Sequence, residues 1–488
     1  MDTPNLLIIM DDEHRGDALG CAGHPLVQTP NIDRLAARGT QFANAYTNSP
    51  ICVPARAVLA TGRYAHQTGY WDNCIAYDGA TPSWGHALQS AQHPVTSIGK
   101  LHYLDDECPT GFDRQILPMH IHDGGDTHGL VRDDPPTRPQ CRDLAENIGA
   151  GETEYTDYDR NIAAAACAWL RERAASANGR PWTTFVSFIC PHYPLVAPKE
   201  FFELYDPARI PLPKKRPDDG TAATEWWQAF ENCYIWDRFF ESDAQRRIAM
   251  AAYYGLISFI DDNVGTLLQT LEDCGLDKTT RVIFLSDHGE NLGARGLWGK
   301  STMYNESVTI PMLAAGPGVP AGVVRRTPVS LLDIYPTVLD NAGLAVPEDR
   351  PGRSLFDLAA LPDDIARLVF SEYHATAAKS AEFMLRRGRY KYIHYVGYPP
   401  ELYDLEDDPE ELCNLARRDS HAGLIREFEG TLRGMLDPEA VDRAAKTDQE
   451  RLIERYGGRE AVIAKGGKSA TPAPEAVPDS GSAMESAK

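Results

Sequence analysis

The chain has 488 residues, 43% hydrophobic and 24% charged, enough for one large α/β domain and a smaller companion around buried cores. A formal net charge of -22 disfavours nucleic acid and anionic membrane surfaces as partners, because long-range repulsion opposes both. An anionic small substrate is repelled too, so a site for one must gather a metal or several Lys, Arg and His side chains locally.

The first predicted strand is the apolar run 6–10, which is too short for a signal-peptide core or a membrane span and leads straight into two acids. A cytoplasmic protein is therefore expected. Thr29 and Pro30 open a helix that Gly39 ends, and Pro54 opens another, which begins just after Cys52, runs to Thr61 and stops at Gly62. Buried strands are predicted at 95–98, 184–189 and 282–285, with helices at 161–174 and at 251–272, the latter stopped by Gly275. Residues 211–219, rich in Pro, Lys and Arg, read as a surface loop. After Pro351-Gly352-Arg353 come three strands of a small antiparallel sheet, at 368–373, 381–385 and 390–395, with a helix on it at 424–436. The expected organisation is a mostly parallel α/β domain over 1–370, an α+β domain over 371–464, and a flexible tail or subunit-exchange arm over 465–488. Ten cysteines without a C-x-x-C pair point to free thiols.

Ligands bind at the carboxyl ends of strands in an open parallel sheet. Four predicted strands run into polar groups at that end: Asp11-Asp12, Lys100-Leu101-His102, Cys190-Pro191-His192 and Ser286-Asp287-His288. Asp11, Asp12 and Asp287 are hard oxygen donors suited to Ca²⁺, Mg²⁺ or Mn²⁺; adjacent acids can equally cap a helix or face solvent. His288 is either a softer ligand or a hydrogen-bond partner for a nucleophile. Cys52 at a helix N-terminus faces free N–H groups that favour anions, and Arg56 lies one turn on; a buried structural Cys with a surface Arg is the competing reading. The aromatic stretch from Trp226 to Phe240 reads as packing or subunit contact, or as one wall of a pocket; His66 and His86 read as structural.

The stretch Cys52-Val-Pro-Ala-Arg56, followed by Thr61-Gly62-Arg63, resembles the activation motif C-x-P-x-R of type I sulfatases, in the alkaline phosphatase superfamily, with Ala55 where many members have Ser. The opening N-L-L-I-I-M-D-D, the T-P-N-I-D-R-L-A-A-R-G helix, S-D-H-G-E-x-L-G and the late E-L-Y-D-L-E-D-D-P-E-E are similar to the same family. The resemblance implies that Cys52 is oxidised to formylglycine by a separate generating enzyme. It implies one divalent metal, Ca²⁺ first, held by Asp11, Asp12, Asp287, His288 and the modified Cys52. It places Arg56, Lys100, His102, His192 and Lys300 around a sulfate group, with His102 as base and His192 or Lys300 as proton donor to the leaving alkoxide. His288, where many sulfatases carry Asn, and Asn73, as a substrate contact, resemble the choline sulfatase and phosphonate monoester hydrolase branch. The expected activity is hydrolysis of a small alkyl or aryl sulfate by a homo-oligomer, with some turnover of phosphonate and phosphate esters. The alternatives are a phosphonate monoester hydrolase or phosphodiesterase on the same site, and an inactive binding module.

Overall fold

The computed structural model describes residues 3–176, 179–218, 224–467 and 471–474. Its centre is an eight-stranded sheet of β1 (Asn5–Asp12), β2 (Gly39–Phe42), β3 (Val95–Lys100), β4 (Arg114–Met119), β5 (Thr183–Pro191), β6 (Thr280–Ser286), β7 (Met312–Ala315) and β8 (Val323–Arg325), in the order β8-β2-β7-β6-β1-β5-β3-β4. β1 pairs parallel with β5 and β6, and β3 parallel with β5 and β4; β7 runs antiparallel to both of its neighbours. Leu6 to Met10 are at most 1% exposed, because helices cover both faces of a parallel sheet. Each such side chain contributes about 1.5–3 kcal/mol of burial.

The four strands expected to deliver polar groups, β6, β1, β5 and β3, are contiguous in this order. The register pairs Asp11 with Ser286 and Met10 with Ser187, which brings their carboxyl ends to one crevice. Around the sheet lie α1 (Pro30–Ala37), α2 (Cys52–Thr61), α3 (Glu154–Ala175) and α4 (Asp243–Asp273). α2 includes Cys52 as its first residue and ends on Gly62 in the left-handed region at φ 63. α3 and α4 start earlier than their apolar patterns indicate, on the hydroxyl caps Thr153 and Ser242. Thr29 does not cap α1 with its side chain; the Asp261 carboxylate on α4 accepts the Asn31 and Ile32 N–H groups instead.

A second sheet joins β9 (Val369–Tyr373), β10 (Glu382–Arg387), β11 (Tyr390–Tyr395) and β12 (Tyr398–Asp404) in consecutive antiparallel pairs. The helix expected on it is α5 (Ala422–Met435), and a further helix, α6 (Pro438–Arg455), follows from an Asp437 cap. α6 returns to the large sheet's side, where Asp442 pairs with Arg132 at 2.9 Å and Asp448 accepts the Trp71 indole N–H. The aromatic stretch divides its roles: Trp226 and Trp227 pack against Tyr395 and Tyr304, whereas Tyr234 and Trp236 reach the cavity above Cys52. All ten cysteines are unpaired. Among the described residues no helix is long and apolar enough to cross a membrane. Of the expected tail, residues 468–470 and 475–488 lie outside the described residues.

Candidate active site

Four groups meet at the crevice. Asp12, Cys52, Asp287 and His288 each offer one ligand atom, all within 4.8 Å of one another, and all four residues are buried. Cys52 Sγ lies 3.1 Å from His288 Nε2 and 3.6 Å from an Asp12 oxygen. His288 Nδ1 donates to the Gly289 carbonyl, which leaves Nε2 with its lone pair toward the cluster. Asp11 stands beside the group with one oxygen on His14 Nδ1 at 2.6 Å; its other oxygen is buried without a partner among the described residues. A buried acceptor lacking a donor, next to two further carboxylates and an imidazole, fits a hard divalent cation.

Arg56 is placed differently from expectation. Its Nε donates to Asp287 and its Nη2 to Asp12, both at 2.9 Å, while Nη1 donates to the Lys100 carbonyl and Ser187 Oγ. The guanidinium therefore bridges the two carboxylates and does not line the cavity. It fixes them and offsets their charge. Lys100 Nζ adds a contact of 2.6 Å to Asp12. Burial alone would raise the Asp12 carboxyl, but Lys100 and Arg56 outweigh it and hold the group well below the usual carboxylate range. Burial, with Asp12 beside it, pushes the Cys52 thiol up to about 12.

The cavity at Cys52 is lined by Asn73, Lys100, His102, His192 and Lys300, and also by Asp126, Arg138, Tyr155, Tyr193, Tyr234 and Trp236. Asn73 Oδ1 accepts the Val53 N–H at 3.2 Å, capping the first turn of α2 beside Cys52. His102 sits at φ 54, and its Nε2 lies 3.1 Å from Thr471 Oγ1, so the described part of the tail touches this cavity in the same chain. Burial and the nearby Lys100 lower the pKa of His102, and burial and Lys300 lower that of His192, which favours the neutral form of each imidazole. His192 Nδ1 donates to the Tyr193 carbonyl, which leaves Nε2 as an acceptor.

The sequence reading passed over Glu13. It is fully buried at φ 70, with Oε2 2.7 Å from Lys300 Nζ and 3.3 Å from His192 Nε2. Burial raises its pKa well above the usual range despite Lys300. A third acid after a strand buried on both faces was the available signal, because the residues that follow such a strand enter the crevice. Glu290, also overlooked, accepts the Leu292 and Gly299 N–H groups and so holds the loop that presents Lys300.

The sulfatase family pattern matches residues 4–344, and that of the N-sulphoglucosamine sulphohydrolase C-terminal region matches 293–437. A choline-sulfatase of Rhizobium meliloti (strain 1021) is 32% identical over 468 residues, spanning 92% of this chain and 90% of that protein. An arylsulfatase K of Bos taurus is 29% identical, over 86% of this chain and 79% of that protein. The fold is shared with a phosphonate monoester hydrolase of Agrobacterium radiobacter, at a TM-score of 0.72 and 24% identity, over 88% of this chain and 95% of that one. With a family match over most of its length and a relative of this similarity along almost all of it, the chain belongs to the sulfatase family of sulfuric ester hydrolases.

Proposed function

We propose that the protein hydrolyses the sulfate ester of a small alcohol or phenol in the cavity above Cys52, with Cys52 converted to formylglycine and one divalent cation, Ca²⁺ in the first instance. The observation that carries this reading is that Cys52, at the N-terminus of α2, completes a buried ligand cluster with Asp12, Asp287 and His288 on the floor of a cavity ringed by Lys and His. Asp11, Asp12, Asp287 and His288 would hold the cation. When present, the hydrated aldehyde and the metal supply an activated hydroxyl for attack at sulfur and a second hydroxyl through which sulfate can be expelled.

The chain's own residues divide the remaining work. Lys100 and Lys300 place two ammonium groups at the cavity floor, where they hold the non-bridging oxygens and offset the repulsion of a -22 molecule. Neutral His102 accepts a proton. His192 presents a lone pair at Nε2, whereas the Lys300 ammonium is held 2.7 Å from Glu13; Lys300 is the donor to the leaving oxygen. Arg56 acts one step back, by fixing Asp12 and Asp287. The ten unpaired cysteines support a reducing compartment and so a cytoplasmic location.

The same cations suit any tetrahedral anion, so slower turnover of phosphonate monoesters is expected from this site. The test is kcat/KM for a matched aryl sulfate and aryl phosphonate monoester, on protein co-produced with a formylglycine-generating enzyme, loaded with Ca²⁺ and checked by the mass of the Cys52 peptide. Preference for the sulfate supports the proposal. Preference for the phosphonate with formylglycine present would make phosphonate ester hydrolysis the principal activity.

A further inference from the structure

The loop that carries Asn73 is held by side chains from the far end of the chain. Asn73 lies inside a turn that its neighbour closes: Asp72 Oδ1 accepts the Cys74 N–H at 2.7 Å. Gly125 backs this turn so closely that a Cβ there would lie 2.1 Å from the Asn73 carbonyl oxygen. The rest of the grip comes from α6. Trp71 donates its indole N–H to Asp448 at 2.9 Å, and Gln449 Nε2 donates to Asp72 Oδ2 at 2.7 Å.

Gln449 is fixed in one orientation. Its Nε2 also donates to the His374 carbonyl at 2.7 Å, an atom that can only accept. Its Oε1 accepts from Arg132 Nη1 at 3.2 Å, a group that can only donate. Arg132 is anchored in turn, through Nε to the Ala378 carbonyl and through Nη2 to Asp442. Turning the Gln449 amide over would set donor against donor and acceptor against acceptor, so the side chain presents N–H to Asp72. Gln449, Asp72, Arg132 and His374 are only 1–3% exposed. A buried network in which these groups are mutually satisfied specifies a single geometry.

That geometry reaches Cys52. Asn73 Oδ1 accepts the Val53 N–H, so the turn that Gln449 fixes also caps the first turn of α2, whose first residue is Cys52. Asn73 and Cys52 line the same cavity. We infer that Gln449 is a positioning residue: acting through Asp72 and Asn73, it sets the end of α2 on which Cys52 is carried. A helix that follows the small sheet thereby takes part in a site whose proposed reacting groups come from the large one. The inference rests on the sulfate-ester reading for the part that Cys52 plays.

The test uses the full-length, formylglycine-bearing, Ca²⁺-loaded protein. Turnover of nitrophenyl sulfate is normalised to the formylglycine content of the Cys52 peptide, and hydrogen exchange of the Val53 amide is measured alongside. Asp72→Asn keeps the turn closed through its remaining oxygen but sets an NH₂ against that of Gln449. It is expected to lower kcat roughly 10- to 100-fold with KM little changed, as for loss of a hydrogen bond to a charged group, and to speed exchange at Val53. Adding Gln449→Glu replaces the facing donor by an acceptor and should return kcat to within about threefold of native, the bond to the His374 carbonyl staying lost. In an Asn73→Ala background, Asp72→Asn should cost less than about threefold more, because both act along one path. Asp448→Ala, at a carboxylate that is 40% exposed, releases only Trp71 and is read if Asp72→Asn does not fold. It should cost roughly two- to fivefold in kcat and speed the same amide; no change in either overturns the inference. So does native-like kcat in Asp72→Asn, a pair that recovers nothing, or the full loss in the Asn73→Ala background. If modified protein turns over no ester, it is the sulfatase reading that fails. Exchange at Val53 needs no turnover and still decides the positioning role: an unchanged rate in Asp72→Asn overturns it.

Discussion

At the scale of single residues, the proposed site separates groups that would touch substrate from groups that hold them. Cys52→Ser keeps an oxygen nucleophile but supplies no aldehyde, so turnover of an aryl sulfate is expected to fall by at least about 10³-fold, as for loss of a covalent nucleophile. Retention of activity within tenfold would remove Cys52 from its role. Glu13 is a positioning residue, since one of its oxygens ties Lys300 Nζ in place at 2.7 Å. Glu13→Gln preserves the shape and weakens that tie. We expect kcat to drop roughly 10- to 100-fold with KM little changed, and the alkaline limb of the rate profile to shift as Lys300 loses its carboxylate. An unchanged profile with a uniformly lower rate would indicate only a structural role.

At the scale of elements, Glu372 on β9 joins the small sheet to the segment after α2. Its two oxygens accept from His66 and His374, at 3.0 and 2.9 Å. Burial would raise this carboxyl, but the two imidazoles lower it to about 2. A folded pKa below the unfolded value means the contribution is present above about pH 4.5 and is lost as pH falls from there toward 2. The shift corresponds to about 3 kcal/mol as an order of magnitude. Urea unfolding from pH 6 down to 3 should show this acid limb in the native protein and a shallower one in Glu372→Gln; identical slopes would exclude the linkage.

The elements also show what the sequence could reveal. β1, β3, β5 and β6 were legible because a strand buried on both faces reads as one apolar run, and the polar residues at their ends were legible as site residues for the same reason. The early turns of α4 were not, because Asp243 to Arg247 carry no apolar stripe and the start depends on the Ser242 cap. Capping of α1 by Asp261 was beyond local reading, since the partners are about 230 residues apart. The motif put Arg56 one turn on from Cys52, but the direction of its guanidinium follows from Asp12 and Asp287 converging, which only the strand order supplies.

At the scale of the whole molecule, the site concentrates Asp11, Asp12 and Asp287 at the meeting point of contiguous strands. A cation bound there stabilises the folded chain by mass action as well as serving the reaction. Chelation is expected to lower the thermal midpoint by several degrees and to abolish turnover, and added Ca²⁺ to restore both. Loss of activity without any change in melting would mean that these carboxylates do not bind the ion that matters.

The burial of Cys52 also sets a schedule. The side chain is 1% exposed, and it is walled in by His288, which lies 236 residues further along the chain. No modifying enzyme can close around a thiol in that position. The oxidation proposed for Cys52 would therefore take place while the polypeptide is still open, in the interval between synthesis of α2 and arrival of β6. At ordinary translation speeds that is on the order of tens of seconds. Protein that folds first is permanently excluded: adding the generating enzyme to the folded, unmodified chain should leave the Cys52 peptide mass unchanged, whereas adding it to the urea-unfolded chain should shift it. Cellular activity would then follow the supply of that enzyme relative to the rate of synthesis, independently of how much folded protein accumulates.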